Sequence, residues 1–147
     1  MFQIRTAKTE DRESIQRIYV AVVGPKTIQD EAQWDELIGG GGLLIAQAEG
    51  RIVGFGGIDV HAAEHVKWLY LLRQYQGAGL GWEILRRLED IGWEAGLKSL
   101  RLHSAPEAVE FYRRHGYRAV EAAEQVGHDH AGVEMVKDRP PCGVTRA

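Results

Sequence analysis

The chain is poor in cysteine, in proline and in long apolar runs. Its one cysteine, Cys142, cannot form a disulfide within the chain, so nothing in the composition indicates an oxidising compartment. No segment approaches the ~20 consecutive apolar residues that a membrane-spanning helix needs, and the first residues, MFQIRTAKTEDRES, lack the apolar core of a signal peptide. We therefore expect a cytoplasmic protein that has no membrane partner.

An excess of positive charge is also absent. The formal net charge is −3 and the isoelectric point is near 6.1, so we expect no general attraction to nucleic acid, although a local basic patch could still attract a phosphorylated ligand. The 147 residues, 44% of them hydrophobic, suit one globular unit with a real core. We expect a single domain over residues 1–138 and a flexible tail over residues 139–147.

Apolar periodicity predicts strands alternating with helices. The expected strands cover residues 2–7, 43–48, 51–60, 65–72, 97–103, 117–126 and 133–136, and the expected helices cover 10–23, 28–37, 80–95 and 106–115. Glycines 39–42 indicate a hinge, and the three glycines at 54, 56 and 57 indicate a bulge or a close approach of two backbones. This order predicts an α/β fold in which helices cover both faces of a mixed sheet.

The most informative segment is WLYLLRQYQGAGLG, residues 68–81, where an apolar strand runs into a glycine loop and a helix follows at once. The first amide groups of a helix have no intrahelical acceptor, and the helix dipole adds positive charge at the same end. Glycines let an anion approach the backbone closely. The segment therefore predicts a site for a pyrophosphate.

Two motifs carry a family resemblance. QGAGLG, residues 76–81, resembles the (Q/R)xxGx(G/A) acyl-CoA signature of the GNAT superfamily of N-acetyltransferases, and AVEFYRRHGY, residues 108–117, is similar to the AxxFYxxxGF segment of that family. The resemblance is best over residues 43–117. It implies a mostly antiparallel central sheet of six to seven strands with about four helices, acetyl-CoA as co-substrate, and transfer of an acetyl group to a primary amine.

The resemblance also implies how acetyl-CoA would lie. Backbone groups of Leu71 and Leu72 would pair with the pantetheine arm. Ala105 stands where many family members have an Asn or Ser that bonds this arm, so either Ser104 makes that hydrogen bond or it is absent. Arg73, Arg86 and Arg87 are candidates for the adenosine phosphates, against the alternative of a solvated helix face. The backbone amides expected around the pyrophosphate belong to Gln76, Gly77, Ala78, Gly79, Leu80, Gly81 and Trp82, and Ala108 and Tyr112 complete the expected cofactor-binding set.

The chemistry needs an acid and a base. A hydroxyl near the leaving thiolate can donate a proton, and the resemblance implies that Tyr112 does so. An ammonium must lose a proton before it attacks. The resemblance implies His65 as the candidate base, because it falls near the position where some family members have a catalytic glutamate. Its intrinsic pKa suits that role, and alternation puts it on the face of Lys67, Leu69 and Leu71. Transfer through ordered water, or His103, His128 or His130, are the alternatives. No metal is expected, since the HDH sequence at 128–130 has no accompanying ligand pattern.

Other features stay open in the sequence. The acceptor is a small molecule or a protein amine, and its candidate lining residues, each also a candidate for the core, are Tyr19, Trp34, Phe55 and residues 125–130. The resemblance allows a homodimer. A non-catalytic acyl-CoA-binding module of the same fold would keep the glycine loop without depending on Tyr112. An ATP or dinucleotide site is disfavoured, because no Lys-Ser/Thr pair follows the glycines and their spacing is not GxGxxG.

Overall fold

The computed structural model describes residues 2–24, 31–120 and 132–141. Within these ranges the chain forms seven strands and four helices. Short 3₁₀ turns at Thr9–Asp11, Arg73–Tyr75 and Pro106–Ala108 lead into α1, the glycine loop and α4. The strands are β1 (Phe2–Thr6), β2 (Leu43–Ala48), β3 (Arg51–Ile58), β4 (Val66–Leu71), β5 (Ser99–Ser104), β6 (Arg118–Ala119) and β7 (Val133–Asp138), and the helices are α1 (Arg12–Val23), α2 (Glu31–Gly40), α3 (Leu80–Glu94) and α4 (Val109–Arg114).

The strands form one sheet in the order β1-β2-β3-β4-β5-β7-β6. Every neighbouring pair is antiparallel except β4 and β5, which are parallel because α3 carries the chain from one to the other as a crossover. The predicted fold class, a mostly antiparallel sheet of six to seven strands flanked by about four helices, is confirmed.

Two apolar clusters cover the two faces of the sheet. Leu44 and Ala46 of β2 pack with α3 and α4 on one face, which we call the α3 face, while Leu43 and Ile45 pack with α1 and α2 on the other, the α1 face. This division follows from the two-residue period of a strand, which sends successive side chains to opposite faces. α3 is held to its face by Leu80, Ile84, Leu85 and Leu88, which repeat at helical spacing and are all at most 1% exposed.

The predicted close approach at the strand glycines is confirmed. A Cβ atom on Gly56 would lie 2.6 Å from Cγ2 of Ile84 and 3.0 Å from Cδ1 of Leu88, so α3 can pack this closely only against a glycine. The pairing of β3 with β4 also shifts register between Gly57 and Ile58, but the extra residue of this bulge is Lys67 of β4 and not one of the β3 glycines.

Several predicted boundaries were wrong. The expected hinge at residues 39–42 is partly helical, because α2 continues to Gly40 and only then gives way to the turn before β2. The expected helix over 106–115 begins as a 3₁₀ turn, with α4 proper over Val109–Arg114. β6 covers only Arg118–Ala119 of the strand expected over 117–126, whose last six residues lie outside the described ranges. Among the described residues, none of the helices has the length and hydropathy needed to span a membrane.

Candidate active site

The site begins where β4 and β5 separate. The two strands share a single register pair, Val66 with Leu102, whereas β5 and β7 share six. Beyond that pair the edge of β4 that faces β5 is open. The amide of Leu72 points the other way, toward β3, where it donates to the Val53 carbonyl at 2.9 Å. Because backbone groups alternate along a strand, those of Leu71 face the gap.

Leu71 and Leu72, the two residues predicted to hold a pantetheine arm, therefore differ in the direction of their backbone groups. The carbonyl of Leu71 faces the gap and accepts a hydrogen bond of 3.1 Å from Nε2 of Gln76. Both backbone groups of Leu72 have partners within the chain, because its carbonyl also accepts from the amide of Tyr75 at 2.9 Å. The amide of Leu72 is therefore occupied by its bond to β3, and the roles expected of the Leu71 and Leu72 backbones stay predictions.

The glycine loop has the conformation that an anion site needs. Gly77 and Gly79 have φ values of +85° and +83°, which residues other than glycine rarely adopt. Gly79 is the N-cap of α3, and no side chain caps this end of the helix. The first-turn amides of α3, those of Leu80, Gly81 and Trp82, lack intrahelical acceptors and carry the positive end of the helix dipole. The exposed residues 76–79 leave the approach to these amides open.

The side chains around the loop are turned away from it. The ring of Trp82 stacks on His115, with centroids 4.1 Å apart and planes 3° apart, and Nζ of Lys137 lies 5.6 Å from the Trp82 ring centroid. Leu80 is buried in the α3-face cluster. The predicted contacts of Leu80 and Trp82 with a ligand, through their backbone amides, stay predictions.

Tyr112 lies on α4, in the apolar cluster beside the gap. Its ring makes edge contacts with Phe111 and Tyr117, and 8% of the residue is exposed. Burial raises the pKa of the Tyr112 hydroxyl well above its usual range, and the nearby Tyr70 adds to the rise. Its hydroxyl makes no hydrogen bond with any described residue. The hydroxyl oxygen is not one of the fully buried polar atoms that lack a partner. The proton therefore stays on the hydroxyl at neutral pH, available for donation.

Aromatic side chains form the α1-face wall of the gap. Tyr70 of β4 meets Tyr19 of α1 edge-on at 5.4 Å and lies 5.7 Å from the ring of Phe55. Burial raises the pKa of Tyr70 to about 12, with smaller contributions from Tyr19 and Glu64. Of the acceptor-lining candidates, Trp34 and Phe55 are fully buried and belong to the core, which was the alternative for each. Residues 125–130 lie outside the described ranges.

His65 occupies a different position from the one its alternation predicted. Lys67, the extra residue of the β3–β4 bulge, breaks the period, so that Val66 rather than His65 joins Leu69 and Leu71 in the α3-face cluster. Nδ1 of His65 accepts a hydrogen bond of 3.0 Å from the amide of Arg101. Burial lowers the pKa of His65, and the charge of Arg101 lowers it further. The neutral ring thus carries its proton on Nε2, and its lone pair is already engaged.

Two further residues of the predicted cofactor set flank the same gap. The hydroxyl of Ser104 donates to the Ala105 carbonyl at 2.7 Å, and 2% of the residue is exposed, so a hydrogen bond from Ser104 to the pantetheine would require this hydroxyl to turn. Ala108 is half-buried and is the N-cap of α4. Of the arginines considered for the adenosine phosphates, Arg86 pairs with Glu83 at 2.9 Å and Arg87 bonds the Ile4 carbonyl at 3.4 Å.

The sequence did not reveal a charged cluster at the point where β4 and β5 separate. His103 of β5 lies between Glu64, which precedes β4, and Glu134 of β7, and Arg101 pairs with Glu134. The two glutamates are far apart along the chain. The pairing of β4 with β5 brings Glu64 to His103, and the pairing of β5 with β7 brings Glu134 there. The one available signal was the alternation of Arg101 and His103 with the apolar residues of β5, which sends both polar side chains to one face.

Comparisons with known proteins agree with this geometry. The family model described as acetyltransferase (GNAT) domain matches residues 6–139. An uncharacterized N-acetyltransferase of Bacillus subtilis (strain 168), YjcF, is 31% identical over 68 residues, covering 46% of this chain and 49% of its own length. The chain spans about half the length of the curated relatives that it matches.

Solved structures agree in fold. A GNAT-family acetyltransferase from Staphylococcus aureus Mu50 superimposes with a TM-score of 0.79 at 15% identity, covering 94% of this chain and 99% of that one. PaiA N-acetyltransferase from Thermoplasma acidophilum, solved in complex with coenzyme A, gives a TM-score of 0.70 at 19% identity, covering 95% and 99%. The fold that places the separating strands β4 and β5 beside an uncapped glycine loop is therefore that of GNAT acetyltransferases. The chain is a member of the GNAT acetyltransferase family.

Proposed function

We propose that this protein transfers an acetyl group from acetyl-CoA to a primary amine by direct attack in a ternary complex. The observation that carries the proposal is the open edge of β4 running into the uncapped start of α3. An extended pantetheine arm could pair with the backbone of Leu71, and the pyrophosphate could accept hydrogen bonds from the amides of residues 76–82. The coenzyme A complex of the Thermoplasma PaiA neighbour supports this ligand.

Tyr112 would serve as the general acid. In the transfer, the amine lone pair forms the new C–N bond, the C–S bond breaks, and its electron pair leaves on sulfur. The Tyr112 hydroxyl gives its proton to that sulfur and recovers one from the amide nitrogen being formed. Burial raises the pKa of Tyr112, so its hydroxyl is protonated in the resting protein and can give a hydrogen bond or its proton to the developing thiolate.

The acceptor would enter from the α1 face. Tyr19 and Tyr70 line this side of the gap with apolar surface and a polar edge, and Glu64 supplies negative charge nearby. A positively charged amine suits such a wall, since aromatic faces and a carboxylate both attract cations. These features fit a small amine and an exposed protein amine alike.

Tyr112→Phe tests the proposed chemistry. We expect kcat for acetylation of amines in a screened panel to fall about 10²–10⁴-fold, the range of general acid catalysis, while the affinity for acetyl-CoA stays unchanged. Tyr75→Phe is the matched control, because Tyr75 is only half-buried and lies in the turn before the loop. Equal kcat values for Tyr112→Phe and the wild type would remove Tyr112 from the mechanism. Coenzyme A binding without acetylation of any amine would favour the non-catalytic module.

A further inference from the structure

A cavity of about 530 Å³ lies on the α1 face of the sheet. Residues of α1 form one wall, β1 and the β2–β3 hairpin form the other, and the turn before the glycine loop closes one end. Of the described residues that line it, none belongs to β5, α3 or α4, which border the gap. Its volume falls in the ~300–1,000 Å³ range of small-molecule sites, and the acetyl transfer proposed above does not involve it.

Positive charge dominates the lining of this cavity. Among the described residues, the charged side chains that line it are Arg5, Arg17, Arg51 and Asp11. Together they carry a net charge of +2. Nη1 and Nη2 of Arg5 donate to the two oxygens of Asp11 at 2.9 and 3.0 Å, and the same carboxylate accepts from the Lys8 amide at 2.7 Å. The charges of Arg5 and Asp11 are therefore neutralised within the wall.

The charges of Arg17 and Arg51 are not balanced within the described part of the chain. Arg17 lies on α1 and Arg51 at the start of β3, so the two guanidinium groups belong to opposite walls of the cavity. Neither side chain makes an ion pair or a hydrogen bond with any described residue. A guanidinium group has five N–H donors and no acceptor. An oxyanion between the two arginines would neutralise both charges and accept hydrogen bonds from both.

The neutral groups of the lining also suit an organic anion. Oε1 of Gln47 accepts a hydrogen bond of 3.2 Å from Nε of Arg5, so the amide nitrogen of Gln47 is left as a donor. The hydroxyl of Ser14 is a further potential donor in the lining. Ile18 and Ile52 add apolar surface, which a carbon skeleton can contact and a bare inorganic ion does not need.

The cavity is separate from the proposed acetyl-CoA site, although the two share the turn before the glycine loop. Leu72 and Tyr75 of this turn line the cavity. The amide of Leu72 donates to the carbonyl of Val53, which also lines it, whereas the backbone of Leu71 faces the gap at the other edge of β4. A ligand in the cavity and acetyl-CoA in the gap would therefore bind together rather than compete.

We propose that this cavity binds a small organic oxyanion with at least two negative charges, either a polycarboxylate or a phosphate monoester. Arg17 and Arg51 hold the anionic groups from the two walls, and Gln47 and Ser14 donate further hydrogen bonds. The apolar surface contacts the carbon skeleton. The site is additional to the proposed acetyl transfer and does not depend on it.

Calorimetric titration of the full-length protein with citrate and with glucose 6-phosphate tests the two forms of this chemistry. We expect at least one probe to bind saturably at low salt with a Kd of about 1 mM or below, both with and without coenzyme A. Arg17→Gln and Arg51→Gln should each raise that Kd about 10–100-fold, because each removes a charged hydrogen-bond donor. Arg139→Gln, which removes an exposed arginine outside the cavity, is the matched control and should bind as the wild type does.

Three results would overturn the inference. The first is the absence of saturable binding of both probes to the wild type. The second is a Kd that both cavity variants leave unchanged but Gly79→Glu raises, since the anion would then occupy the glycine loop. The third is a loss of acetyl-CoA affinity in Arg17→Gln or Arg51→Gln, which would assign these arginines to the cofactor site. Because neither arginine has a partner among the described residues, we expect both variants to keep the wild-type melting temperature, so lost binding would not reflect unfolding.

Discussion

Replacing Gly79 by alanine separates the energy of the loop conformation from the energy of ligand binding. Gly79 has φ +83°, and a Cβ atom built on it meets nothing within 4 Å. The only cost to the free protein is therefore the left-handed backbone of a residue with a side chain, about 1–2 kcal/mol. For a domain of ~150 residues each kcal/mol lowers the melting temperature by about 2–4 °C.

Gly96 provides a matched control at the opposite end of α3. It has φ +92°, and a Cβ atom built on it also meets nothing within 4 Å. Gly96→Ala should therefore lower the free energy of unfolding by the same amount as Gly79→Ala, about 1–2 kcal/mol. A difference between the two variants in ligand affinity can then not arise from strain or general destabilisation.

The two variants should differ strongly toward acetyl-CoA. Gly79 directly precedes the α3 amides, so we expect the new methyl group to crowd a bound phosphate and to displace its oxygen from at least one of them. A hydrogen bond to a charged group contributes about 1.5–3 kcal/mol, so we expect the Kd to rise about 10–100-fold. Gly96→Ala should bind as the wild type does. Calorimetry with acetyl-CoA and thermal unfolding measure the two quantities, and equal Kd values for both variants would refute a phosphate site at this loop.

Three further predictions concern stability and pH. Glu89→Ala should lower the free energy of unfolding by about 3–5 kcal/mol in urea titrations. Glu89 is 3% exposed, and its removal leaves a half-buried Lys137 without its carboxylate. A decrease below about 1 kcal/mol would contradict this interpretation. The hydrogen bonds from Arg5 hold the pKa of Asp11 below its usual range, so the stabilisation it gives should be complete above pH ~4 and vanish as the pH falls further, and Asp11→Asn should approach wild-type stability only in acid. Burial and Arg101 lower the pKa of His65, so wild-type stability should decline as the pH falls below ~6.5, and His65→Asn, which can still accept a hydrogen bond but does not titrate, should flatten that decline. If His65→Asn keeps the wild-type kcat, His65 is not the proton acceptor that the sequence suggested.

The glycine loop and the α3 helix could be predicted because both are local. The strand, the loop and the helical repeat of Ile84, Leu85 and Leu88 follow one another without interruption, and their geometry depends on neighbours in sequence. The position of the backbone amides from Gly79 onward could be predicted without knowing any contact with residues distant in the sequence. The family resemblance rested on the same local segments.

The position of His65 and the cluster around His103 could not be predicted in this way. One extra residue at the β3–β4 bulge reverses the face of every side chain before it, and sequence alternation does not show such an insertion. Glu134 reaches His103 only because β7 inserts between β5 and β6 in the sheet. Similarly, the carbonyl of Leu72 has a partner in the turn that ends at Tyr75, which neither periodicity nor motif spacing indicated.

Calorimetric titration of the wild-type protein with acetyl-CoA, beside Gly79→Glu and with ATP and NAD as competing ligands, tests the phosphate site at the glycine loop most directly. We predict a Kd for acetyl-CoA within the ~1 µM–1 mM range of enzyme substrates. Binding should be abolished by the glutamate, whose charge repels the pyrophosphate, and ATP and NAD should bind far more weakly. Absence of acetyl-CoA binding to the wild type, or equal binding to Gly79→Glu, would contradict an acyl-CoA site at this loop.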